Sequence, residues 1–172
     1  DDNYLYTIAQ WYPRIAAFTD INGWQNKQFL GRGEFALEFG DYEVSLTVPA
    51  DHIVAATGTL ANAGEVLSAV QQERLKQAEG NDEPTYVVTP AEAKENEKSK
   101  AEGSKTWVFR AENVRDFAWA SSRKFIWDAA HVQVGNREDR VWAMSFFPNE
   151  GDPLWSKYST HSVIHALQVF SK

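Results

Sequence analysis

Two histidines, His161 and His165, stand four residues apart near the end of the chain. On a helix that spacing puts both on one side, where they could share a metal ion. The zinc peptidase pattern needs a Glu directly after the first His to act as general base. Here Ser162 holds that place. The ligand spacing is kept and the base is missing, so these residues favour a partly buried helix face over a metal site. Gly31-Arg32-Gly33-Glu34-Phe35-Ala36 fits the loose Gly-x-Gly-x-x-Ala form of a dinucleotide fingerprint. A phosphate site needs a helix N-terminus after the glycines. The residues after these glycines alternate like a strand, which favours a turn or bulge. Glu34, Glu38, Asp41 and Glu43 crowd one region, with Glu34 and Glu38 on one strand face by parity. Glycoside hydrolysis needs two carboxylates roughly 5–10 Å apart in a cleft. Spacing alone does not place them so, and the solvated face of a sheet is the default. The aromatic residues, seven Trp and ten Phe among them, could line a carbohydrate platform. Most stand at alternating strand positions, where such side chains fill a core.

The elements that must position these residues fit within 172 residues, enough for one domain with its own core and too few for two large ones. With no cysteine the chain can form no disulfide scaffold and has no thiol nucleophile. Its 24 acidic and 17 basic side chains give a net charge of −7, which argues against a dedicated nucleic-acid binder. No apolar run approaches the ~18 residues a membrane helix needs. No basic segment followed by an apolar one marks a secretory leader.

Residues 4–12 are aromatic and β-branched and read as a strand that ends at Pro13. Asp20-Ile21-Asn22-Gly23 is a turn signal. Alternation from Glu34 to Pro49 predicts two strands or one bent strand around Gly40-Asp41, and His52–Thr57 a further short one. Residues 65–79 fit a helix with a modest apolar face. Tyr86-Val87-Val88 reads as a short strand. Thr89-Pro90-Ala91-Glu92 combines an N-cap, a Pro at the first helical position and an acid at the third, which predicts a helix to about Lys100 with no apolar face. Between Glu65 and Glu102 lie nine acids and five bases. The stretch of about 65–103 therefore reads as a solvated, mostly helical insertion. Strand patterns return at 107–111, 117–121, 126–134 and 141–147, with a turn at Gly135-Asn136 and a stop at Pro148. Trp155–Phe170 is an amphipathic helix preceded by Asp152-Pro153. The fold class expected is mainly β, a twisted antiparallel sheet or sandwich with a helical acidic insertion and a C-terminal helix.

Several segments come in a recognisable order. They are Gln10-Trp11-Tyr12-Pro13-Arg14, Asp20-Ile21-Asn22-Gly23-Trp24, Gly33–Val44, Val48–Gly58, Thr106-Trp107 and Ala111–Ala120. Together they resemble the N-terminal β domain of bacterial zinc metallopeptidases of the aminopeptidase N type, the gluzincins. The resemblance covers nearly the whole chain outside the insertion, and it rests on the series rather than on any one motif. It implies a saddle-like β domain that precedes a thermolysin-like catalytic domain. That catalytic domain carries the His-Glu-x-x-His motif, a downstream Glu ligand and a Gly-x-Met-Glu-x loop, none of which occurs here. Zinc is then the parent protein's cofactor and not this chain's, and the piece alone is expected to be inactive. The partners implied are the catalytic domain of the same polypeptide and a peptide substrate, without nucleic acid or membrane insertion, in a periplasmic or secreted setting.

The resemblance also implies the organisation. Residues 1–148 form the β domain, short of its first strands, and 149–172 a linker and first helix towards the catalytic domain. The missing initial Met and the apolar pattern up to Lys172 fit a piece cut from a longer polypeptide. In the family a Gln on an N-domain strand helps to bind the N-terminus of the peptide, and Gln10 matches that position. Many members carry Glu or Gln two residues later. Tyr12 stands there in this chain and offers no carboxylate to an ammonium group. By strand parity Gln10 and Tyr12 share a face, so they are the candidate substrate-binding pair, with an ordinary strand amide as the other reading of Gln10. The alternative from a different class is a free-standing β-sandwich module that binds glycan or peptide through exposed Trp.

Overall fold

The computed structural model describes residues 3–28, 31–32, 35–135 and 140–171. Every strand pairing within them is antiparallel. The first strand β1 (Tyr6–Ile8) is followed by a small hairpin of β2 (Phe18–Thr19) and β3 (Gly23–Trp24). Then come β4 (Gly40–Pro49), β5 (Ile53–Ala56) and β6 (Thr59–Leu60). Helices α1 (Ala63–Val66) and α2 (Ala69–Glu79), strand β7 (Thr85–Val88) and helix α3 (Pro90–Ser99) make up the middle of the chain. The last third is β8 (Ser104–Val114), β9 (Trp119–Ser122), β10 (Phe125–Val132), β11 (Val141–Pro148) and α4 (Leu154–Phe170). Three three-stranded sheets result, in the orders β1-β9-β5, β11-β10-β7 and β4-β8-β6. The expected architecture of antiparallel sheets with inserted helices and a C-terminal helix is therefore present.

The alternation read from the sequence places the core. Along β4, Leu46 and Val48 point inward while Ser45 and Thr47 are exposed. On the paired strand β8, Trp107 opposite Leu46 and Phe109 opposite Val44 are buried. Phe117, Phe125 and Trp127 complete the same cluster, so the core reading of these aromatic positions holds. Segment 35–39, expected to be strand, is not; pairing begins at Gly40, beside a register shift between Gly40 and Tyr42.

The insertion is not the solvated appendage that its charge suggests. Strand β7 pairs with β10, and Val87 and Val88 are fully buried. Ala78 of α2 and Ala93 of α3 have no exposed surface, the latter packed with Ile126 and Phe147. Small residues make these contacts, so the charged faces dominate the composition while one Ala per helix docks it. The single helix expected over 65–79 is two. Ser68 breaks it and caps α2, its hydroxyl accepting from the Gln71 N–H while the Gln71 side chain returns to the Ser68 N–H at 3.0 Å. The expected cap of α3 forms as read, with Thr89 at the N-cap and Pro90 first. Burial works against the charge of Glu92. Bonds from the Thr89 N–H and hydroxyl and from Arg74 outweigh it and hold the carboxyl below its usual range.

Helix α4 lies on β10 and β11 through Thr160 and Ile164. A buried polar cluster fixes it there. Thr160 Oγ1 donates to Asp128 Oδ1 and lies 2.7 Å from Ser145 Oγ, which Ser159 Oγ also meets at 2.9 Å. Asp128 is 2% exposed. Burial pushes its carboxyl above the usual range, against the Thr160 hydroxyl, His161 and a backbone bond at Ser145. The stability tied to Asp128 is therefore present below an ordinary carboxylate pKa of about 3.9 and is lost as pH rises through the raised native value. Asp128→Asn is expected to remove that loss. Its thermal midpoint relative to the parent should climb as pH is taken from about 4 to about 8, and a flat difference over that range would contradict the assignment.

Candidate functional site

Among the described residues an apolar groove of about 940 Å³ is present. One wall is β5 and β6, a second is the face of β10 and β11 that carries Trp127, Trp142 and Phe146, and α2 supplies Gln72, Lys76 and Glu79. An empty closed cavity of that size would cost on the order of 20 kcal/mol at about 24 cal/mol per Å³. That exceeds the whole stability of a typical domain, about 5–15 kcal/mol. The groove is therefore a place that solvent or a ligand fills. Two indole N–H groups on its walls, of Trp119 and Trp127, are buried and find no acceptor among the described residues.

The corner that shapes the first wall is Gly58, with φ +91° and an ideal Cβ position only 2.3 Å from the Arg110 carbonyl oxygen. It lets the chain leave β5, cross against β8 and start β6. Asn62 then locks the exit: its Nδ2 donates to the Thr106 carbonyl and its Oδ1 accepts from the Val108 N–H, both at 2.9 Å.

The sequence-predicted residues lie elsewhere. Strand β1 ends at Ile8, and Gln10 takes a left-handed φ of 53° outside it. Strand parity therefore does not relate Gln10 to Tyr12. β9 offers β1 only three paired residues, and beyond them the segment is held by side chains instead. Gln10 is exposed, and Tyr12 is half-buried. The Tyr12 hydroxyl donates to Asp116 Oδ1 at 3.0 Å, lies 3.0 Å from the Tyr42 hydroxyl and accepts from the Phe117 N–H at 3.3 Å. Burial first, then the bonds to Tyr42 and Asp116, push the phenol well above its ordinary pKa. Trp11 Nε1 donates to the Phe117 carbonyl at 3.0 Å, and Arg14 pairs with Asp116 at 2.8 Å. Two segments of the ordered series, Gln10–Arg14 and Ala111–Ala120, thus fasten to each other. Tyr12 is a staple between them, beside a small cavity of about 270 Å³ that Arg14 and Arg115 share and Gln10 does not line.

A second junction lies under Tyr6. Arg123 Nε meets Asp51 Oδ2 at 3.1 Å, with the two side chains 12% and 2% exposed. His52 Nδ1 lies 3.2 Å from Ser121 Oγ, and burial pushes its imidazole below the ordinary value, with Asp51 opposing and Arg123 adding.

His161 and His165 are both exposed, so they do not form the partly buried helix face that was expected. His161 Nε2 is 3.9 Å from Glu83. Among the described residues no three His, Asp or Glu side chains converge to hold a metal ion. No helix among them is long and apolar enough to cross a membrane. Of the crowded carboxylates, Glu34 lies outside the described residues, Glu38 is exposed, Asp41 accepts from the Asn113 N–H at 2.8 Å, and Glu43 pairs with Arg110 at 2.9 Å. The glycine segment 31–36 is described only in part and leads into no helix. The groove escaped sequence reading because its walls come from many separate stretches, from Thr7 to Val163; the one local signal was Gly58 after a short apolar strand.

Compared with known proteins, the chain matches no family model, no curated protein and no solved structure.

Proposed function

We propose that the chain is the N-terminal β domain of a zinc metallopeptidase of the aminopeptidase N type, which braces the catalytic domain and walls its peptide cleft. The observation that carries this reading is helix α4. A helix apolar on both sides is one that is covered on both sides. Thr160, Ile164 and Leu167 face the sheet. On the opposite side Leu154, Trp155 and Tyr158 are 62%, 48% and 51% exposed. A catalytic domain of the same polypeptide is the cover this reading supplies. In this reading the metal and every step of the reaction belong to that domain, and the setting is periplasmic or secreted, as the resemblance implies; among the described residues no side-chain group converges to hold a metal ion. Gln10, exposed two residues beyond the end of β1, is the member of the candidate pair that this reading sets against a peptide.

Two measurements check the reading. The coding sequence beyond Lys172 should specify His-Glu-x-x-His and a Glu ligand further on, and a stop codon in that place would end it. The purified chain should release no product from aminoacyl-nitroanilides with zinc present. Turnover that survives repurification would place chemistry in this chain and overturn the proposal.

A second reading, the free-standing binding module, is favoured by one feature. The β2–β3 hairpin presents Phe18, Ile21 and Trp24 at 59%, 86% and 63% exposure, with the Phe18 and Trp24 rings edge-on at 5.1 Å. If that reading holds, Trp24→Ala abolishes retention on a glycan or peptide array; in the peptidase reading the chain shows no retention to lose.

A further inference from the structure

We infer that His52 is an acid-operated latch on strand β1. When its imidazole gains a proton, β1 leaves β9 and uncovers the end of the groove that Thr7 lines. The latch holds under either reading of function.

The register builds it. Tyr6 stands opposite Ser121 on β9, and Ser121 stands opposite Val54 on β5. His52, two residues before Val54, shares that face. Ser121 is small, so the Tyr6 ring reaches across it to the imidazole, with centroids 6.1 Å apart and planes at 31°. His52 is buried, and its Nδ1 lies 3.2 Å from Ser121 Oγ. The charged groups that act on it are Asp51, from its own segment, and Arg123, from the turn after β9. These two are already paired with each other. From the β1 side come the Tyr6 ring and the Asn3 amide, which accepts from Arg123 Nη1 at 3.3 Å. β1 itself carries no carboxylate.

A proton on His52 changes charge rather than bonding. The Ser121 oxygen accepts from an imidazolium Nδ1 as it does from a neutral ring. The result is a second cation beside Arg123, in a buried site with one carboxylate. Burial first, then Arg123, disfavour that cation and together outweigh Asp51. Lifting Tyr6 away admits water to the ring, so protonation favours the open arrangement. The closed latch is at full strength above the ordinary imidazole pKa of about 6.5 and weakens as pH falls through it. At about pH 5 the open fraction rises by up to about thirtyfold, tenfold for each pH unit below that value.

β1 is the element able to yield. It offers β9 three paired residues, and Tyr4, Leu5 and Tyr6 are exposed. Ahead of the ladder the segment is held by the bond from Ser122 Oγ to the Tyr4 carbonyl at 3.0 Å and by the Arg123–Asn3 bond. On the other side of β9, Ile53 and Val54 of β5 are buried, and that pairing stays. A buried histidine at such a junction is the usual basis of a pH-sensitive contact.

β9 carries its own control. Bonded pairs alternate along an antiparallel strand. The Thr57 N–H donates to the Ala118 carbonyl at 3.0 Å. The Ala120 amide therefore turns to β5, and the Trp119 and Ser121 amides turn to β1. The test is hydrogen exchange of the full chain, read as protection factors from about pH 7.5 to about pH 5. Trp119 and Ser121 are expected to lose protection at least about fivefold, while Ala120 and the amides of β10 keep theirs. The loss should set in near the ordinary imidazole value and run down to the pH at which NMR shows His52 itself to titrate. His52→Asn places an amide near the position of Nδ1 and takes no proton, so in it Trp119 and Ser121 should stay protected throughout. If that variant fails to fold, the parent's exchange and its His52 titration still decide. The latch is overturned if Trp119 and Ser121 keep their protection, or if Ala120 loses protection with them. It is equally overturned if His52 titrates at or above about pH 6.5, or if the folded His52→Asn variant opens like the parent.

Discussion

Replacing Arg123 by Met is expected to lower the unfolding free energy by about 3–5 kcal/mol. The pair is buried on both sides, with Asp51 at 2% and Arg123 at 12% side-chain exposure, and the guanidinium reaches both carboxylate oxygens, at 3.1 and 3.4 Å. Removing one partner leaves a carboxylate stranded in a dry site, and that desolvation dominates the loss. A surface pair such as Arg110–Glu43, about two-thirds exposed on each side, is expected to change stability by no more than about 1 kcal/mol when broken. The double replacement Asp51→Asn with Arg123→Met should recover most of the loss, since no charge is then left unpaired. Urea unfolding with a constant slope checks this. A loss for Arg123→Met below about 1 kcal/mol would mean that water reaches Asp51.

The position of this pair explains how much of the molecule could be read from the chain. Asp51-His52 and Ser121-Ser122-Arg123 are ordinary local sequence, and nothing in either announces that the two meet. The same holds for Tyr12, whose partner Asp116 is 104 residues away. What was legible is what is decided within a few residues. The Thr89-Pro90-x-Glu92 cap was, because its donors and acceptors lie within four positions. The alternation of β8 was, because a half-buried strand writes its period into the chain, whereas β10, buried on both faces, showed only as an apolar run. The Ser68–Gln71 box is just as local, yet the apolar spacing of Val66, Leu67 and Val70 runs through it and masks the break. β7 was visible as a strand but not as a buried one, since pairing with β10 is a tertiary fact. Gln10 fails by parity for a related reason. Parity presumes a continuous strand, and the strand stops where its partner runs out.

Gly58→Ala is expected to cost about 2–5 kcal/mol, and a control within the same chain separates its causes. A residue with a side chain in the left-handed region loses about 1–2 kcal/mol, and forcing atoms into a filled space adds about 1–3 kcal/mol. At Gly58 both apply. Its φ is +91°, and an added Cβ would sit 2.3 Å from the Arg110 carbonyl oxygen and 2.7 Å from the Ala111 Cβ. Those neighbours are backbone and a Cβ, which cannot swing aside as the end of a long side chain can. Gly103 has nearly the same φ, +88°, with nothing within 4 Å of its added Cβ. Gly103→Ala should therefore show the conformational part alone, about 1–2 kcal/mol. The excess at Gly58 measures the close approach of the β5–β6 corner to β8. Denaturant midpoints of the two variants, compared with the parent, give that difference directly. Equal losses at the two sites would mean that the corner relaxes off β8. In that case this contact does not hold the wall of the groove, and β5 is positioned without it, through its pairing with β9.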